Sequence, residues 1–269
     1  MADKILVFIP CYNCEPQIGR VMAQFKNSVA RYFDEILILD NGSSDRTVEV
    51  AMRAAELQTG PHPRVIIARN RENYGLGGSH KSAYCYAAKG GFSHVVTLHG
   101  DDQGDIRDIE PILANDLHNR FDACVGARFQ RGSKLRGYSM FRIVGNHVFN
   151  ILYSVASLRR VTDMGSGLNI LGKSAYTDPT ITRHSDDLHF NPRLLLNMFD
   201  KKMKVHFFPI TWREDDQVSN VKMASQALQT LAVAIEYVVD RNGFRNKDHR
   251  RVAHSDYIFD VLSTVEAKP

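Results

Sequence analysis

Residues 4–20 read KILVFIPCYNCEPQIGR, an apolar run that stops at a proline and a polar turn. The pattern predicts a buried strand at residues 4–9, and residues 17–32 have the spacing of an amphipathic helix. A strand, a polar turn and a helix make up the first part of a βαβ unit. This stretch therefore predicts an α/β fold.

The same alternation continues along the first half of the chain. Further strands are predicted at residues 35–39, 64–68, 94–98 and 123–127, with helical patterns between the first four. Near-continuous apolar strands that alternate with helices are typical of a largely parallel sheet with helices on both faces. Since ligands of such sheets bind beyond the carboxyl ends of the strands, the turns after these strands are expected to share one crevice.

Composition narrows the class of protein. The 269 residues carry a formal charge of +4, which suits phosphorylated ligands or an anionic membrane surface but is too small to indicate a nucleic-acid partner. Neither a secretory signal nor an apolar run of about 18 residues is found, so we expect a cytoplasmic protein, soluble or peripheral on the membrane. The pair Cys11 and Cys14 allows zinc or redox chemistry, but free thiols in a reducing compartment are favoured.

An acidic cluster follows the strand predicted at residues 94–98. Asp101, Asp102 and Asp105 occur together with Gln103, and oxygen ligands at this density suit Mg²⁺ or Mn²⁺. Three acids in five residues would repel one another unless a cation neutralised them. The alternative is a polar turn whose aspartates cap the next helix, an interpretation that suits Asp105 and Asp108.

Two other strand-end turns are candidates for ligand binding. Residues 40–45 read DNGSSD, in which Asp40 can accept a hydrogen bond from a nucleobase, whereas residues 43–45 are equally well explained as a helix cap. The glycines of residues 73–78 allow a ligand to approach the backbone closely. Their spacing matches neither a dinucleotide fingerprint nor a P-loop.

Taken in order, these motifs resemble the inverting glycosyltransferases of family two. The resemblance rests on residues 7–15 (VFIPCYNCE), residues 40–45, the pair Asn73 and Gly75, and the acidic cluster, and it covers about residues 4–222. The chain looks most like the branch of dolichyl- and polyprenyl-phosphate sugar synthases. The resemblance implies a Rossmann-like GT-A fold.

The same resemblance implies a domain organisation. A catalytic domain would occupy residues 1–222, with a nucleotide-sugar half at about 1–128 and an acceptor half at about 129–222. Residues 223–269 would form a C-terminal helical extension.

The resemblance also assigns a donor site. The metal-binding D-x-D motif of the family falls on His99, Gly100 and Asp101, which implies Asp101 and Gln103 as ligands. The chain departs from the family at His99, which either coordinates the metal itself or points elsewhere while Asp102 compensates. The residues implied for binding the nucleotide sugar are Pro10, Tyr12, Asn13, Glu15, Asp40, Asn73, Gly75, Asp101 and Asp102.

Basic residues downstream match family positions that handle phosphates. They are Arg128, Arg142 and Arg213, and arginine suits this role because its planar fork binds phosphate oxygens in two places. Ser219 and Lys222 are weaker candidates, because the residues that form an adjacent pair in the family are separated here.

Asp186 and Asp187 are the positions for a general base, and the alternative is that they complement the dipole of a helix that begins there. Residues 141–158 form a further helical pattern with apolar residues at helix spacing and arginines nearby. A helix of this kind lies either on a membrane surface or against the core.

The resemblance, together with these residues, implies a metal-assisted, inverting hexosyltransferase that uses a UDP- or GDP-sugar. A polyprenyl phosphate acceptor needs cations and no base, whereas a hydroxyl of a polysaccharide or glycolipid needs Asp186 or Asp187 as the base. The setting would be cell-envelope polysaccharide synthesis, with peripheral membrane contact, a membrane partner or a homo-oligomer. A nucleotidyltransferase and a non-catalytic subunit that binds sugar nucleotides are the alternatives from other classes.

Overall fold

The computed structural model describes residues 3–58, 61–214, 223–250, 252–254 and 256–268. Ser219 and Lys222 lie outside the described residues, as does the expected boundary of the catalytic domain at residue 222. The strands of the described residues are β1 (Ile5–Cys11), β2 (Glu35–Asp40), β3 (Arg64–Asn70), β4 (His94–Leu98), β5 (Ala123–Ala127), β6 (Lys134–Arg136), β7 (Leu168–Gly172), β8 (Val205–Pro209), β9 (Thr211–Arg213) and β10 (Phe259–Val265). The helices are α1 (Glu15–Ala23), α2 (Thr47–Glu56), α3 (Gly75–Lys89), α4 (Glu110–Ala114), α5 (Met140–Ser157), α6 (Lys173–Tyr176), α7 (Phe190–Asp200), α8 (Met223–Val239) and α9 (Arg241–Asn246).

One eight-stranded sheet organises the fold, in the order β10-β3-β2-β1-β4-β7-β5-β8. The strands β3, β2, β1 and β4 are parallel neighbours, in a register that places Cys11 beside Asp40 and Asp40 beside Arg69. β7 runs antiparallel between β4 and β5, and β10 runs antiparallel beside β3. The predicted α/β fold class is confirmed; the four neighbouring parallel strands come from the first half of the chain, and β5 forms a further parallel pair with β8.

Alternate residues of β1 supply the two cores on either side of the sheet. Ile5, Val7 and Ile9 pack with residues of α1 and α2, while Leu6 and Phe8 pack with residues of α3 and α7. Successive side chains of a strand point to opposite faces, so a strand covered on both sides must be apolar throughout. Burial of each such side chain contributes about 1.5–3 kcal/mol.

The segment after residue 222 is more than the helical extension expected from the sequence. It contains α8 and α9, but its last strand, β10, joins the main sheet and pairs Asp260 with Arg69. β10 has the sequence FDVLSTV, in which β-branched residues favour a strand over a helix. The segment is therefore part of the same sheet as the nucleotide-sugar half.

Helix α5 presents one face to the core and leaves the other face exposed. Phe141, Ile151 and Val155 have 76%, 63% and 68% of their surface exposed. On the other face Tyr153 is fully buried in the core, and Phe149 packs against the same core. Among the described residues, no helix has the length and hydrophobicity needed to cross a bilayer.

Candidate active site

The carboxyl ends of the parallel strands surround a cleft of about 460 Å³. The predicted crevice is therefore present, and seven of the predicted catalytic, donor-binding and metal-binding residues line it. The lining consists of Pro10, Cys11, Tyr12, Cys14, Asn41, Asn73, Gly75, Leu76, Ser79, His99, Gly100, Asp101, Asp187 and Leu188.

Asp101 and His99 stand side by side at the end of β4. Burial raises the pKa of the Asp101 carboxyl and lowers the pKa of the His99 imidazole, and each partly offsets the shift of the other. Nε2 of His99 is buried and has no hydrogen-bond partner among the described residues. A Cβ on Gly167 would lie 2.8 Å from Nδ1 of His99, so the glycine lets the backbone pack directly on this ring.

This pair of side chains fits a divalent cation. Asp101 offers carboxylate oxygens and His99 an imidazole nitrogen that lacks a partner in the described part of the chain. The carboxylate suits both Mg²⁺ and Mn²⁺, which take remaining ligands from phosphate and water, whereas the imidazole nitrogen suits Mn²⁺ better than Mg²⁺. The backbone N–H of Gln103 donates to Oδ1 of Asp101 at 3.2 Å, and Gln103 does not line the cleft.

Asp102 is engaged outside the cleft, contrary to its expected contact with the donor. Its carboxylate accepts hydrogen bonds from Arg20 at 2.8 Å, Gln24 at 2.9 Å and Arg213 at 3.1 Å. Its φ of 58° lies in the left-handed region of the backbone, which aspartate adopts more readily than most residues. The structure therefore makes Asp102 a link between α1 and β9 rather than a substitute ligand.

A second group of potential metal ligands lies at the opposite end of the sheet. Asp3, His94 and His118 offer ligand atoms within 4.8 Å of one another, near the amino-terminal ends of β1 and β4. Nε2 of His118 lies 3.0 Å from Asp3, and Nε2 of His94 lies 3.2 Å from the carbonyl oxygen of His118. This group is separate from the cleft and does not bear on the donor site.

The residues expected in the nucleoside pocket fall into two sets. Pro10, Tyr12, Asn73 and Gly75 line the cleft, and the ring of Tyr12 is 52% exposed. The others shape the turns beneath it, where their polar atoms are occupied. Asp40 pairs with Arg69 at 2.7 Å, Glu15 pairs with Arg46 at 2.6 Å, and Asn13 accepts from the N–H of Ser44 at 2.9 Å.

Sequence reasoning missed an asparagine network at the same edge. Oδ1 of Asn41 accepts from Asn70 at 2.9 Å and from the N–H of Tyr74 at 3.0 Å, and its Nδ2 donates to Asn73 at 2.8 Å. Asn70 also donates to Ser79 at 3.0 Å. The positions of Asn41 and Asn70 directly at strand ends could have identified them.

The glycine-rich turn has a different role from the expected one. A Cβ on Gly75 would lie 2.3 Å from the carbonyl oxygen of Asp186, and a Cβ on Gly77 would lie 2.4 Å from that of Ser185. The N–H of Gly77 donates to the Asp186 carbonyl at 2.7 Å. These glycines therefore allow close packing of the protein's own loop, and Gly75 also lines the cleft.

The two candidate bases have separate environments. The Asp186 carboxylate pairs with the buried ammonium of Lys81 at 2.7 Å and accepts from the hydroxyl of Tyr257 at 2.9 Å. Asp187 lines the cleft, and its Oδ1 lies 2.9 Å from Nδ1 of His189. Of the two, Asp187 is the acid that a bound substrate can reach.

Each of the three predicted phosphate-binding arginines lies in an ion pair, and none of the three lines the cleft. Arg128 binds Asp163 with two nitrogens at 2.8 Å, Arg142 pairs with Glu214, and Arg213 pairs with Asp102. Burial lowers the pKa of Arg128, but Asp163 outweighs this effect and holds that pKa above its usual value.

Comparison with known proteins adds family evidence to this geometry. The model of "Glycosyl transferase family 2" matches residues 6–178. A UDP-N-acetylglucosamine–dolichyl-phosphate N-acetylglucosaminyltransferase of Methanococcus voltae is 28% identical over 185 residues, which cover 65% of this chain and 72% of that protein. The dolichyl-phosphate β-glucosyltransferase of Saccharomyces cerevisiae is 23% identical over 262 residues, covering 88% of this chain and 74% of that protein.

A solved structure supports the fold. The glucosyl-3-phosphoglycerate synthase of Mycobacterium tuberculosis, in complex with Mn²⁺, UDP and glucosyl-3-phosphoglycerate, superposes with a TM-score of 0.61. The two chains are 16% identical, and the match covers 87% of this chain and 79% of the other. At this identity the likeness establishes a shared fold.

Proposed function

Because the chain belongs to glycosyl transferase family 2 and is a glycosyltransferase, we propose that it transfers a sugar from a nucleotide donor to a polyprenyl phosphate. The observation that carries the donor half is the pairing of Asp101 and His99 in a cleft at the carboxyl ends of the parallel strands. The relatives named for dolichyl-phosphate acceptors support the acceptor half.

In the donor site, the nucleoside would lie over the ends of β1 and β2. The exposed Tyr12 offers a ring for stacking on a base, and Nδ2 of Asn73, which also lines the cleft, would donate to the edge of that base. UDP is the favoured nucleotide, because a structural neighbour was solved with UDP and Mn²⁺. Asp101 and His99 would hold Mg²⁺ or Mn²⁺, which would neutralise charge on the diphosphate leaving group.

The reaction would be a single displacement. An acceptor oxygen forms a bond to the anomeric carbon while the bond from that carbon to the diphosphate oxygen breaks, and the electron pair leaves with the nucleoside diphosphate. The anomeric configuration inverts. A lipid phosphate is already anionic, so Asp187 need not remove a proton and would instead accept hydrogen bonds from sugar hydroxyls.

Arg142 and Arg213 would bind the acceptor phosphate. Each guanidinium carries five N–H donors and directs one nitrogen to its carboxylate partner, so phosphate can bind while the ion pair persists. Arg128 is the most buried of the three arginines, and its bidentate bond to Asp163 would hold its guanidinium in place. Its cation also packs within 5.2 Å of the Trp212 ring centroid.

The exposed face of α5 suggests how the enzyme would reach a lipid. Phe141, Val148 and Ile151 are at least half exposed on this face, and Arg142 lies near its start. An amphipathic helix of this kind can lie in the interfacial region of a bilayer, with arginines near anionic headgroups. Peripheral membrane contact through α5 is thus part of the proposal, and a second copy of the chain on the same face is the competing outcome.

The donor proposal is tested by titrating UDP- and GDP-sugars with and without Mn²⁺ against the wild type and Asp101→Asn. Metal-dependent binding that the variant loses is the expected result. Absence of binding for every nucleotide sugar would overturn the donor assignment. Transfer is then measured to a short polyprenyl phosphate and, in parallel, to a sugar with free hydroxyls.

A hydroxyl acceptor is the second candidate, favoured by the position of Asp187 in the cleft. In that case Asp187 would remove the hydroxyl proton, and Asp187→Asn would abolish transfer while donor binding remained. With a phosphate acceptor the same variant would retain transfer at a reduced rate.

Membrane contact has its own test. Phe141→Glu/Ile151→Glu should abolish co-flotation with vesicles that contain anionic lipid, while nucleotide binding stays unchanged. If the wild type does not float and instead forms a dimer that these substitutions dissociate, the face binds a second copy.

A further inference from the structure

One loop supplies the side of the cleft that faces the strand ends. Among the described residues, Asp187 and Leu188 are the only cleft-lining residues that come later in the sequence than Asp101. The family match ends at residue 178, so this loop lies beyond the matched region. We call residues 184–188 the wall loop.

The wall loop is attached to the rest of the molecule by a buried lysine. The side chain of Lys81, in the first half of α3, is 2% exposed. Its ammonium donates to the His184 carbonyl at 2.6 Å, to Oδ1 of Asp186 at 2.7 Å and to the Tyr257 hydroxyl at 3.2 Å. These contacts use all three N–H donors of the ammonium group.

The contacts of Lys81 join three separate parts of the chain. α3 contributes the lysine, the wall loop contributes two acceptors, and the segment before β10 contributes Tyr257. The Tyr257 hydroxyl also donates to the Asp186 carboxylate, at 2.9 and 3.0 Å from its two oxygens. The Tyr257 ring packs over Gly78, where a Cβ would lie 3.2 Å from the ring.

A buried ammonium is costly unless every donor is satisfied, so this position is not explained by apolar packing. Burial lowers the pKa of Lys81, and the Asp186 carboxylate opposes that shift. The backbone contacts of the wall loop with Gly75 and Gly77 complete the attachment. The loop can therefore shift only if this buried group loses partners.

We propose that Lys81 is a positioning residue that holds the wall loop, and with it Asp187, against the sugar of the donor. This inference rests on the proposed nucleotide-sugar donor. A carboxylate at Asp187 accepts hydrogen bonds from sugar hydroxyls, whereas the nucleoside contacts come from the strand ends. Lys81 thus controls recognition of the sugar and not of the nucleotide.

The test compares dissociation constants for UDP and for a UDP-sugar, both with Mn²⁺. In Lys81→Met and in Tyr257→Phe, UDP should bind within about twofold of wild type, while the UDP-sugar weakens about tenfold and about threefold, the size expected for loss of one hydrogen bond or part of one. The matched control is Asp260→Asn, which breaks the exposed pair with Arg71 near the same segment and should change neither constant.

Two additional measurements guard against loss of the fold. Lys81→Met/Asp186→Asn removes both buried charges, and it should fold like the wild type yet keep the sugar defect. Hydrogen exchange of the amides at residues 185–189 should be faster in Lys81→Met than in Asp260→Asn. This readout requires no ligand.

The outcomes separate the inference from the proposed function. If UDP and the UDP-sugar weaken equally, or neither changes, Lys81 does not position the sugar wall. Unchanged exchange at residues 185–189 would equally overturn the proposal. If wild-type protein binds no nucleotide while exchange behaves as expected, the donor assignment fails and Lys81 still holds the loop.

Discussion

The two sides of the cleft are held in place in different ways. The strand-end side depends on many short contacts among Asn41, Asn70, Asn73 and the turns beneath them, each a single hydrogen bond. The wall-loop side depends on one buried ammonium, that of Lys81, whose partners come from distant parts of the chain. We infer that the first side tolerates single changes, whereas the second is sensitive to one.

The largest effect on activity is expected from a change at Asp101, the proposed metal ligand in the cleft. Asp101→Asn should lower kcat by about 10²–10³-fold or more, because charge on the leaving group would lose its stabilisation. Steady-state kinetics with Mn²⁺ measure this. Asp105→Asn is the control, since Asp105 caps a turn through the N–H of Arg107 and lies outside the cleft lining. An equal loss in both variants would place the metal elsewhere in the acidic cluster.

Lys81→Met removes the ammonium group that attaches the wall loop. The substitution should lower the free energy of unfolding by about 2–4 kcal/mol, because the largely buried Asp186 carboxylate is left without its cation. Urea denaturation gives the value. Asp260→Asn, in the exposed pair with Arg71, should shift the midpoint much less. A comparable shift in the two variants would show that Lys81 is not the main attachment.

Two glycines that both have positive φ allow a test of the contact between the two sides of the cleft. Gly75 has φ +72° and faces the Asp186 carbonyl, whereas Gly91 has φ +70° and open space around it. Gly91→Ala should cost about 1–2 kcal/mol from backbone strain alone. Gly75→Ala should cost about 1–3 kcal/mol more, since its Cβ would overlap the wall loop. Equal values in thermal or urea denaturation would mean that the loop moves away freely.

The smallest effect is expected on the strand-end side. Asn41→Ala removes the acceptor of Asn70 and of the Tyr74 N–H, which should cost about 1–3 kcal/mol. UDP binding should weaken only moderately, because the backbone contacts of the turn remain. Asn115→Ala, an exposed asparagine with one bond to Pro111, is the control. Complete loss of UDP binding in Asn41→Ala would contradict the inference that the strand-end side of the cleft tolerates single changes.

The sequence was most informative where local pattern decides structure. The strand β1, the turn that follows it and the acids after β4 were predicted because strand periodicity and parallel order place them at one edge. Pro10, Tyr12, His99 and Asp101 accordingly line the cleft.

Prediction was weaker where partners are far apart in the chain. Asp102 and Arg20 are 82 positions apart, and nothing in the acidic cluster indicated that Asp102 turns towards α1. In the same way, Asp186 and Asp187 are adjacent and chemically identical. Lys81, 105 positions before Asp186, and Tyr257, which follows both acids by about 70 positions, bind Asp186 and give it a different environment from that of Asp187. The roles of the glycines at 75 and 77 depend on the same distant loop.

The pairing of β10 with β3 has a consequence for the tendency of the protein to aggregate. Val65, Ile66 and Ile67 of β3 are at most 3% exposed, and β10 covers the edge of this strand with a ribbon that includes Asp260 and Ser263. A chain shortened before Phe259 would present the unpaired hydrogen-bonding edge of an apolar strand, which is a template for intermolecular association. Proteolytic loss of β10 should therefore be followed by aggregation, with the segment at residues 64–70 at the centre of the assembled material.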